Sequence, residues 1–352
     1  MGLIRKLKLS WLPSSILLGM FLCWYMLHLI HNTPGRDPDP HIDELKNFPV
    51  LFDSSAQLRI IVLTYNRSKS LKRLFDSLLM ADYQGERIVL DIWVDRSING
   101  EVHNETVQVA NELQFVHGEK NVYVRGQHAG IVNQWLRTWK FSDNPTEICI
   151  ILEDDLTVSP VFYRWLKSVH TTYKDDDRIS GFTLQGVGSI YSGPSALENV
   201  NVSKKHLTYL YSMPGSWGFS PKLDQWKEFI TWWEKTSLDK SFHPLVPNNL
   251  ATVWYSENRR QGNAQNIWTM WFIYFNWKFH KYVLYPNIQP KNQGFSNNWQ
   301  EPGLNHYGHA GLPPTGPLVV KWLPEFDKLS PLPPIVFTNG TILNELNRKI
   351  TV

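Results

Sequence analysis

Ile148-Cys-Ile-Ile-Leu-Glu-Asp-Asp-Leu-Thr-Val-Ser-Pro160 is the stretch that decides how this chain folds. An uninterrupted apolar run, Ile148 to Leu152, stops abruptly at Glu153-Asp154-Asp155, and Pro160 follows soon after. Such a run reads as a strand buried on both faces. Pro is favoured in the first turn of a helix, so a strand, a polar turn and a helix succeed one another here. Three adjacent carboxylates at the end of a buried strand repel one another and lose hydration, so they require a cation or strong donors. An isolated acidic triplet would read as a solvated turn capping the next helix. Its place between strand and helix makes this one a candidate site. Asp175-Asp176-Asp177 has no apolar strand leading into it and reads as a solvated turn.

Upstream, the same alternation recurs. Arg59-Ile-Ile-Val-Leu63 is an apolar run ending in Thr64-Tyr-Asn66. A helix capped by Ser68 follows, with Leu71, Leu74, Phe75, Leu78 and Leu79 on one face. Arg87 to Asp95 is a second strand, residues 101–116 a helix, Asn121–Val124 a short strand and Gly130–Trp139 a helix. The helix begun by Ser159-Pro160 buries Phe162, Trp165, Leu166 and Val169. Repeated strand and helix units of this length predict an α/β fold with a mostly parallel sheet flanked by helices. In such sheets ligands bind beyond the carboxyl ends of the strands. Thr64–Arg67, Asp95–Ser97 and Glu153–Asp155 are therefore expected to converge on one edge. Arg125 and His128, also after predicted strands, are further candidates for phosphate or base.

The first residues read differently. Trp11 to Ile30 is uncharged and dominated by large apolar residues, long enough as a helix to cross about 30 Å of hydrocarbon. Arg5, Lys6 and Lys8 precede it, while Asp37, Asp39, Asp43 and Glu44 follow, an orientation with the short tail cytosolic and the rest luminal. A cleaved signal peptide competes, because Pro13 and Ser14 interrupt the start, but no small-x-small cleavage site follows. The expected organisation is a tail at 1–10, a transmembrane signal-anchor at 11–31, a proline-bearing stem at 32–57, a domain at 58–310 and an irregular extension at 311–352. Asn104-Glu-Thr, Asn201-Val-Ser and Asn339-Gly-Thr are glycosylation sequons on the side this topology makes luminal. Asn66-Arg-Ser also matches, but falls in the first predicted site loop.

The 352 residues carry a net charge of +3, which Arg5, Lys6 and Lys8 account for, so the body is balanced and nothing points to nucleic acid. The two cysteines, Cys23 and Cys149, lie in apolar segments and form no disulfide framework. Oxygen ligands such as Glu153–Asp155 suit Mg²⁺ or Mn²⁺, above all where a diphosphate completes the shell. Asp95, at the end of Asp91-Ile-Trp-Val-Asp95, is placed to accept hydrogen bonds from a nucleotide base or ribose. No His-x-His or His-Glu-x-x-His spacing occurs, which leaves little basis for a metal-dependent hydrolase.

Ile60-Ile-Val-Leu-Thr-Tyr-Asn-Arg67, Asp95 and Ile151-Leu-Glu-Asp-Asp-Leu-Thr-Val-Ser-Pro160 together resemble the nucleotide-diphospho-sugar transferases of the GT-A (Rossmann-like) fold. Within these the chain is similar to the family 2-like enzymes and the β-1,2-N-acetylglucosaminyltransferase I group. The likeness spans residues 58–310 in order and is specific in the first half. It implies that Asp155 contacts Mn²⁺, that Glu153 and Asp154 lie near the ribose and metal waters, and that Thr64, Arg67 and Asp95 lie along the nucleotide. Pro214-Gly-Ser-Trp-Gly-Phe219 matches the glycine-bearing acceptor loop, with Gly215 and Gly218 letting the backbone approach the sugar. The later half departs from the pattern. Asn266-Ile-Trp-Thr-Met-Trp271, where an inverting enzyme carries its carboxylate base, holds no acid. Glu257, Asp224 and Glu301 are the substitutes by residue type, Glu257 ranked first, and His306 with His309 behind it is the candidate late metal ligand. The resemblance implies an inverting, metal-dependent type II enzyme of the Golgi or ER membrane. It would move a sugar from a nucleotide-sugar, UDP-linked and possibly UDP-GlcNAc, to a glycan or glycoprotein. The alternative is a catalytically silent luminal nucleotide- or glycan-binding protein of the same fold, for which the missing acid speaks.

Overall fold

The computed structural model describes residues 56–141, 144–192, 196–289, 292–299, 316–336 and 342–343. The first four strands are β1 (Leu58–Thr64), β2 (Ile88–Val94), β3 (Gly118–Val124), longer than the Asn121–Val124 expected, and β4 (Ile148–Glu153). They lie parallel in the order β4-β1-β2-β3, with Leu58 opposite both Ile88 and Ile148, and Ile88 opposite Gly118. Between them run α1 (Ser68–Leu79), α2 (Asn104–Glu112) and α3 (Gly130–Arg137), while the short β5 (Leu156–Val158) and α4 (Phe162–Thr172) follow β4. The carboxyl ends of these parallel strands meet at one edge, where the polar turns lie.

The two faces of this half-sheet differ. Leu58, Ile60 and Val62 of β1 share a core with Leu71, Leu74, Phe75 and Leu78 of α1 and with Trp165 and Leu166 of α4. Each such side chain contributes about 1.5–3 kcal/mol by leaving water. The alternate residues of the same strands point to the other face and include buried charges. There the Arg59 guanidinium reaches Asp91 at 2.7 Å and Glu147 at 3.2 Å. α1 begins at Ser68, but Ser68 does not cap it. Its hydroxyl instead donates to Glu105 at 2.7 Å, and the cap position falls on Arg67.

Beyond β4 the sheet is mixed rather than wholly parallel. β6 (Ile179–Thr183), β9 (Thr208–Tyr211), β10 (Phe219–Pro221), β11 (Tyr282–Pro286), β13 (Ile335–Val336) and β14 (Ile342–Leu343) complete ten strands in the order β14-β13-β9-β11-β6-β10-β4-β1-β2-β3. β10 runs antiparallel between β4 and β6, with Phe219 opposite Ile151 and Thr183. β7 (Ser189–Ser192) and β8 (Ala196–Asn199) pair with each other, and β12 (Ser296–Asn298) pairs with β5, so a late segment returns to the chain just past Asp155. Helices α5 (Leu223–Thr236), α6 (Leu250–Arg260) and α7 (Trp268–Phe279) fill the second half. α5 and α7 pack through buried rings, among them Trp226, Phe229, Phe272 and Phe275. Among the described residues no helix is long and apolar enough to cross a membrane. The expected anchor at 11–31 and all but the last two residues of the expected stem at 32–57 lie outside the described residues, as do the Asn339 sequon and most of 337–352.

His170 of α4 provides a test of the packing. Its Nε2 lies 2.8 Å from Ser220 Oγ, whose own proton goes to the Cys149 carbonyl at 2.5 Å, so the imidazole is the donor to Ser220. Burial first, and then the charge of Lys222, push His170 down to about 3. A free histidine takes its proton near pH 6.5, so the unfolded chain binds more protons between that value and about 3. Stability should therefore fall as the pH drops below about 6.5. His170→Gln should flatten that decline by about 2 kcal/mol at pH 4.5, read from urea midpoints at pH 7.5 and 4.5. Equal acid slopes in the two proteins would mean that His170 is not held neutral.

Candidate active site

The edge of the parallel strands brings the polar turns together through short contacts. Thr64, the last residue of β1, donates its hydroxyl to Asp154 Oδ2 at 2.6 Å, and its carbonyl accepts from the Asp95 amide at 2.9 Å. Arg67, at the start of α1, reaches Asp154 at 2.5 Å and Asp155 at 3.4 Å. Asp154 is fully buried and Asp155 nearly so. Six residues expected at the site thus sit at one edge: Thr64, Arg67, Asp95, Glu153, Asp154 and Asp155.

Their electrostatics follow from crowding. Burial, and then repulsion by Asp155, push Glu153 up to about 7, against the pull of Arg67 and a hydrogen bond from Trp135. Burial likewise raises Asp154 to about 6 although Arg67 and Thr64 hold its charge. For Arg67, burial would lower the guanidinium, but Asp154, Asp155 and Glu153 outweigh it and raise it. Three carboxylates that ionise beside one guanidinium carry an excess of negative charge, and this crowding helps keep protons on Glu153 and Asp154. That is the environment an oxygen-seeking divalent cation relieves. Among the described residues no three His, Cys, Asp or Glu side chains surround one point to hold a metal. The fit is therefore to a cation held by one or two carboxylates with phosphate oxygens completing its shell, the usual manner of Mg²⁺. His306 lies outside the described residues, as do Glu301 and His309.

Asp95 is held by backbone amides. Its Oδ1 accepts from the Ala129 amide at 2.8 Å and the Arg96 amide at 2.8 Å, and its Oδ2 accepts from the Gly130 amide at 2.9 Å. It therefore anchors the amino end of α3, whose own cap residue, Ala129, has no side-chain acceptor. Arg125 is fully buried against the Trp93 ring, 4.3 Å from its centroid, and donates to Gln134 at 3.1 Å. Its guanidinium is enclosed by these neighbours. His128 is exposed, with Nδ1 2.7 Å from the Arg96 carbonyl.

Gly215 and Gly218 precede β10, whose register places the loop beside the end of β4. Gly218 has φ +81°, and its carbonyl accepts from the Leu184 amide at 2.9 Å. A Cβ on Gly215 would lie 2.4 Å from Thr183 Oγ1, which donates to the Gly215 carbonyl at 2.9 Å. These glycines thus let the loop pass close to the end of β6.

Asp224 and Glu257 are not part of this cluster. α5 buries Gln225, Trp226, Phe229 and Trp233, which leaves Asp224 exposed in the first turn, where a negative charge favours the helix dipole. α6 buries Ala251 and Tyr255, and Glu257, two residues on, points to the opposite side. It pairs there with Arg260 and accepts from Gln261 at 2.8 Å, its side chain 45% exposed.

Two tryptophans at the site were not singled out by sequence reasoning. The Trp299 amide donates to the Asp155 carbonyl at 2.8 Å, and its ring lies under Arg73 at 4.3 Å. Trp135 Nε1 donates to Glu153 Oε1 at 3.0 Å. Nothing local marks either residue, because each reaches its carboxylate neighbour only through the fold.

No protein-family model matches the chain. No curated protein matches it either. Among solved structures, it is similar to TarS 1–349 of S. aureus at 13% identity over 47% of each chain, with a TM-score of 0.31. It is also similar to the mannosyltransferase PcManGT of Pyrobaculum calidifontis, in complex with GDP-Man and Mn²⁺, at 14% identity, covering 62% of this chain and 55% of that one, TM-score 0.32. The chain spans about half the length of these solved structures. Overlaps of that extent leave the chemistry to be argued from the strand-end cluster itself.

Proposed function

We propose that this chain is a metal-dependent glycosyltransferase that moves a sugar from a nucleotide-sugar, UDP-linked in our reading, to a glycan or glycoprotein acceptor. The observation that carries it is the buried carboxylate cluster, engaged by Arg67, at the carboxyl edge of parallel strands. A nucleoside diphosphate bound there would meet Thr64 and Arg67 on the β1 side and the Trp217–Gly218 turn on the β10 side. Asp155 would hold Mn²⁺ or Mg²⁺, which when bound would supply the positive charge that offsets the charge growing on the leaving group. Arg67 holds Asp154 and Asp155 in place before the ligand arrives, so little reorganisation is needed when it does. Inversion, anchoring by residues 11–31 and a luminal Golgi or ER location complete the proposal.

One feature supports a second reading, a silent binding protein. The start of α7 carries no acid, Asp224 is exposed in the first turn of α5, and Glu257 pairs with Arg260. The test is nucleoside-diphosphate release by the full chain, purified in detergent, with Mn²⁺, mixed glycan acceptors and a panel of nucleotide-sugars. Release from one donor that EDTA abolishes is expected. Equal background from every donor sinks the transferase reading, and Mn²⁺-dependent UDP binding without release would then favour the binding protein.

A further inference from the structure

Glu153 closes β4 on the face opposite Asp154, because successive side chains of a strand alternate. Asp154 is held by a guanidinium and a hydroxyl, whereas the hydrogen-bond donor to Glu153 is an indole. Trp135 Nε1 donates to Oε1 at 3.0 Å, and among the described residues no hydrogen bond reaches Oε2 of this half-buried side chain.

The indole cannot turn away. Trp135 is fully buried, and Trp268, the first residue of α7, stacks on it with centroids 4.1 Å apart and planes 19° apart. Phe219 of β10 and Trp226 of α5 stand against Trp268. At the other end of α3, Asp95 grips the Ala129 and Gly130 amides. Rings and backbone from several elements therefore set one N–H direction. An indole N–H donates and carries no charge, so it can orient a carboxylate without neutralising it. A cation in its place would hold Glu153 as Arg67 holds Asp154, with the negative charge already spent.

We propose that the stacked Trp135–Trp268 pair is a positioning device that aims the second oxygen of Glu153 at a hydroxyl of the bound nucleotide-sugar. This deepens the transferase reading and rests on it for the identity of the ligand. Trp135 and Trp268 are positioning residues, since they act through Glu153. The start of α7, where no acid stands, has its place in the site as the backing of that carboxylate.

The test uses the full chain in detergent with ¹⁵N-labelled tryptophan, the Trp135 indole signal being the one missing from Trp135→Phe. Adding UDP-GlcNAc should move that signal, and Glu153→Ala should abolish the movement. UDP alone separates the two sources, since a shift with UDP assigns the hydroxyl to the ribose and a shift with UDP-GlcNAc only assigns it to the transferred sugar. In turnover, Trp135→Phe keeps the stack and removes the donor. It should lower kcat roughly tenfold with donor KM within about twofold, and should cost nothing further in a Glu153→Ala background. A signal unmoved by UDP-GlcNAc, a shift that persists in Glu153→Ala, or losses that multiply in the double variant would each overturn the proposal. A wild-type chain that turns over no donor removes the transferase reading, while the indole shift still decides this one.

Discussion

Asp155→Ala is expected to lower nucleoside-diphosphate release by roughly a thousandfold or more while leaving the fold intact. Charge stabilisation of a departing phosphate by a clamped cation is worth several kcal/mol, and each 1.4 kcal/mol is about tenfold in rate. The fold should survive because the Thr64–Asp154 and Arg67–Asp154 contacts, at 2.6 and 2.5 Å, do not need Asp155. Removing one of three crowded carboxylates also relieves the repulsion that helps raise Glu153 and Asp154. Asp155→Ala should therefore unfold within about 1 kcal/mol of the wild type, or above it, the usual trade of stability against function at a strained site. Asp155→Asn, equal in shape but uncharged, should be nearly as inactive. Activity within tenfold of wild type in either variant, with unfolding midpoints unchanged, would remove Asp155 from the chemistry.

Arg59→Met should produce the largest loss of stability. Arg59 is 2% exposed, and its guanidinium lies 2.7 Å from Asp91 and 3.2 Å from Glu147, residues that are themselves buried. Burial would lower this guanidinium, but the two carboxylates outweigh it and raise it, while burial raises Asp91. Taking the cation away leaves two carboxylates inside the sheet face without their charge partner, a change that costs about 3–5 kcal/mol. Urea midpoints measured at pH 7.5 would register it. Adding Asp91→Asn and Glu147→Gln to Arg59→Met should recover much of the loss, because the stranded charges go with it. A loss below about 1 kcal/mol for Arg59→Met would show that water reaches the network.

Much of the first half was legible in the sequence. Apolar runs that stop at polar residues located β1, β2 and β4, and the period of Leu71, Leu74, Phe75 and Leu78 located α1, because burial on a regular element repeats at that element's own spacing. The meeting of Thr64, Arg67 and Glu153–Asp155 was legible for a related reason, since parallel strands end on one side. The second half resisted. β10 is three residues long and antiparallel, too short for a period to announce. Whether Asp224 of α5 and Glu257 of α6 reach the cluster depends on how those helices dock on the sheet, which their own periods do not state.

Residue types and their order along the chain determined the α/β alternation, the strand-end carboxylates and the edge at which they gather, all consequences of local periodicity and of chain direction. The tertiary structure alone decided the partners. Asp95 lies 34 residues from the Ala129 amide it accepts from, Arg59 is 88 residues from Glu147, and Trp135 meets Trp268 across the helices. A buried polar atom must find a partner wherever the packed elements bring one. That choice is made by how helices and strands settle against one another, which no stretch of sequence contains by itself.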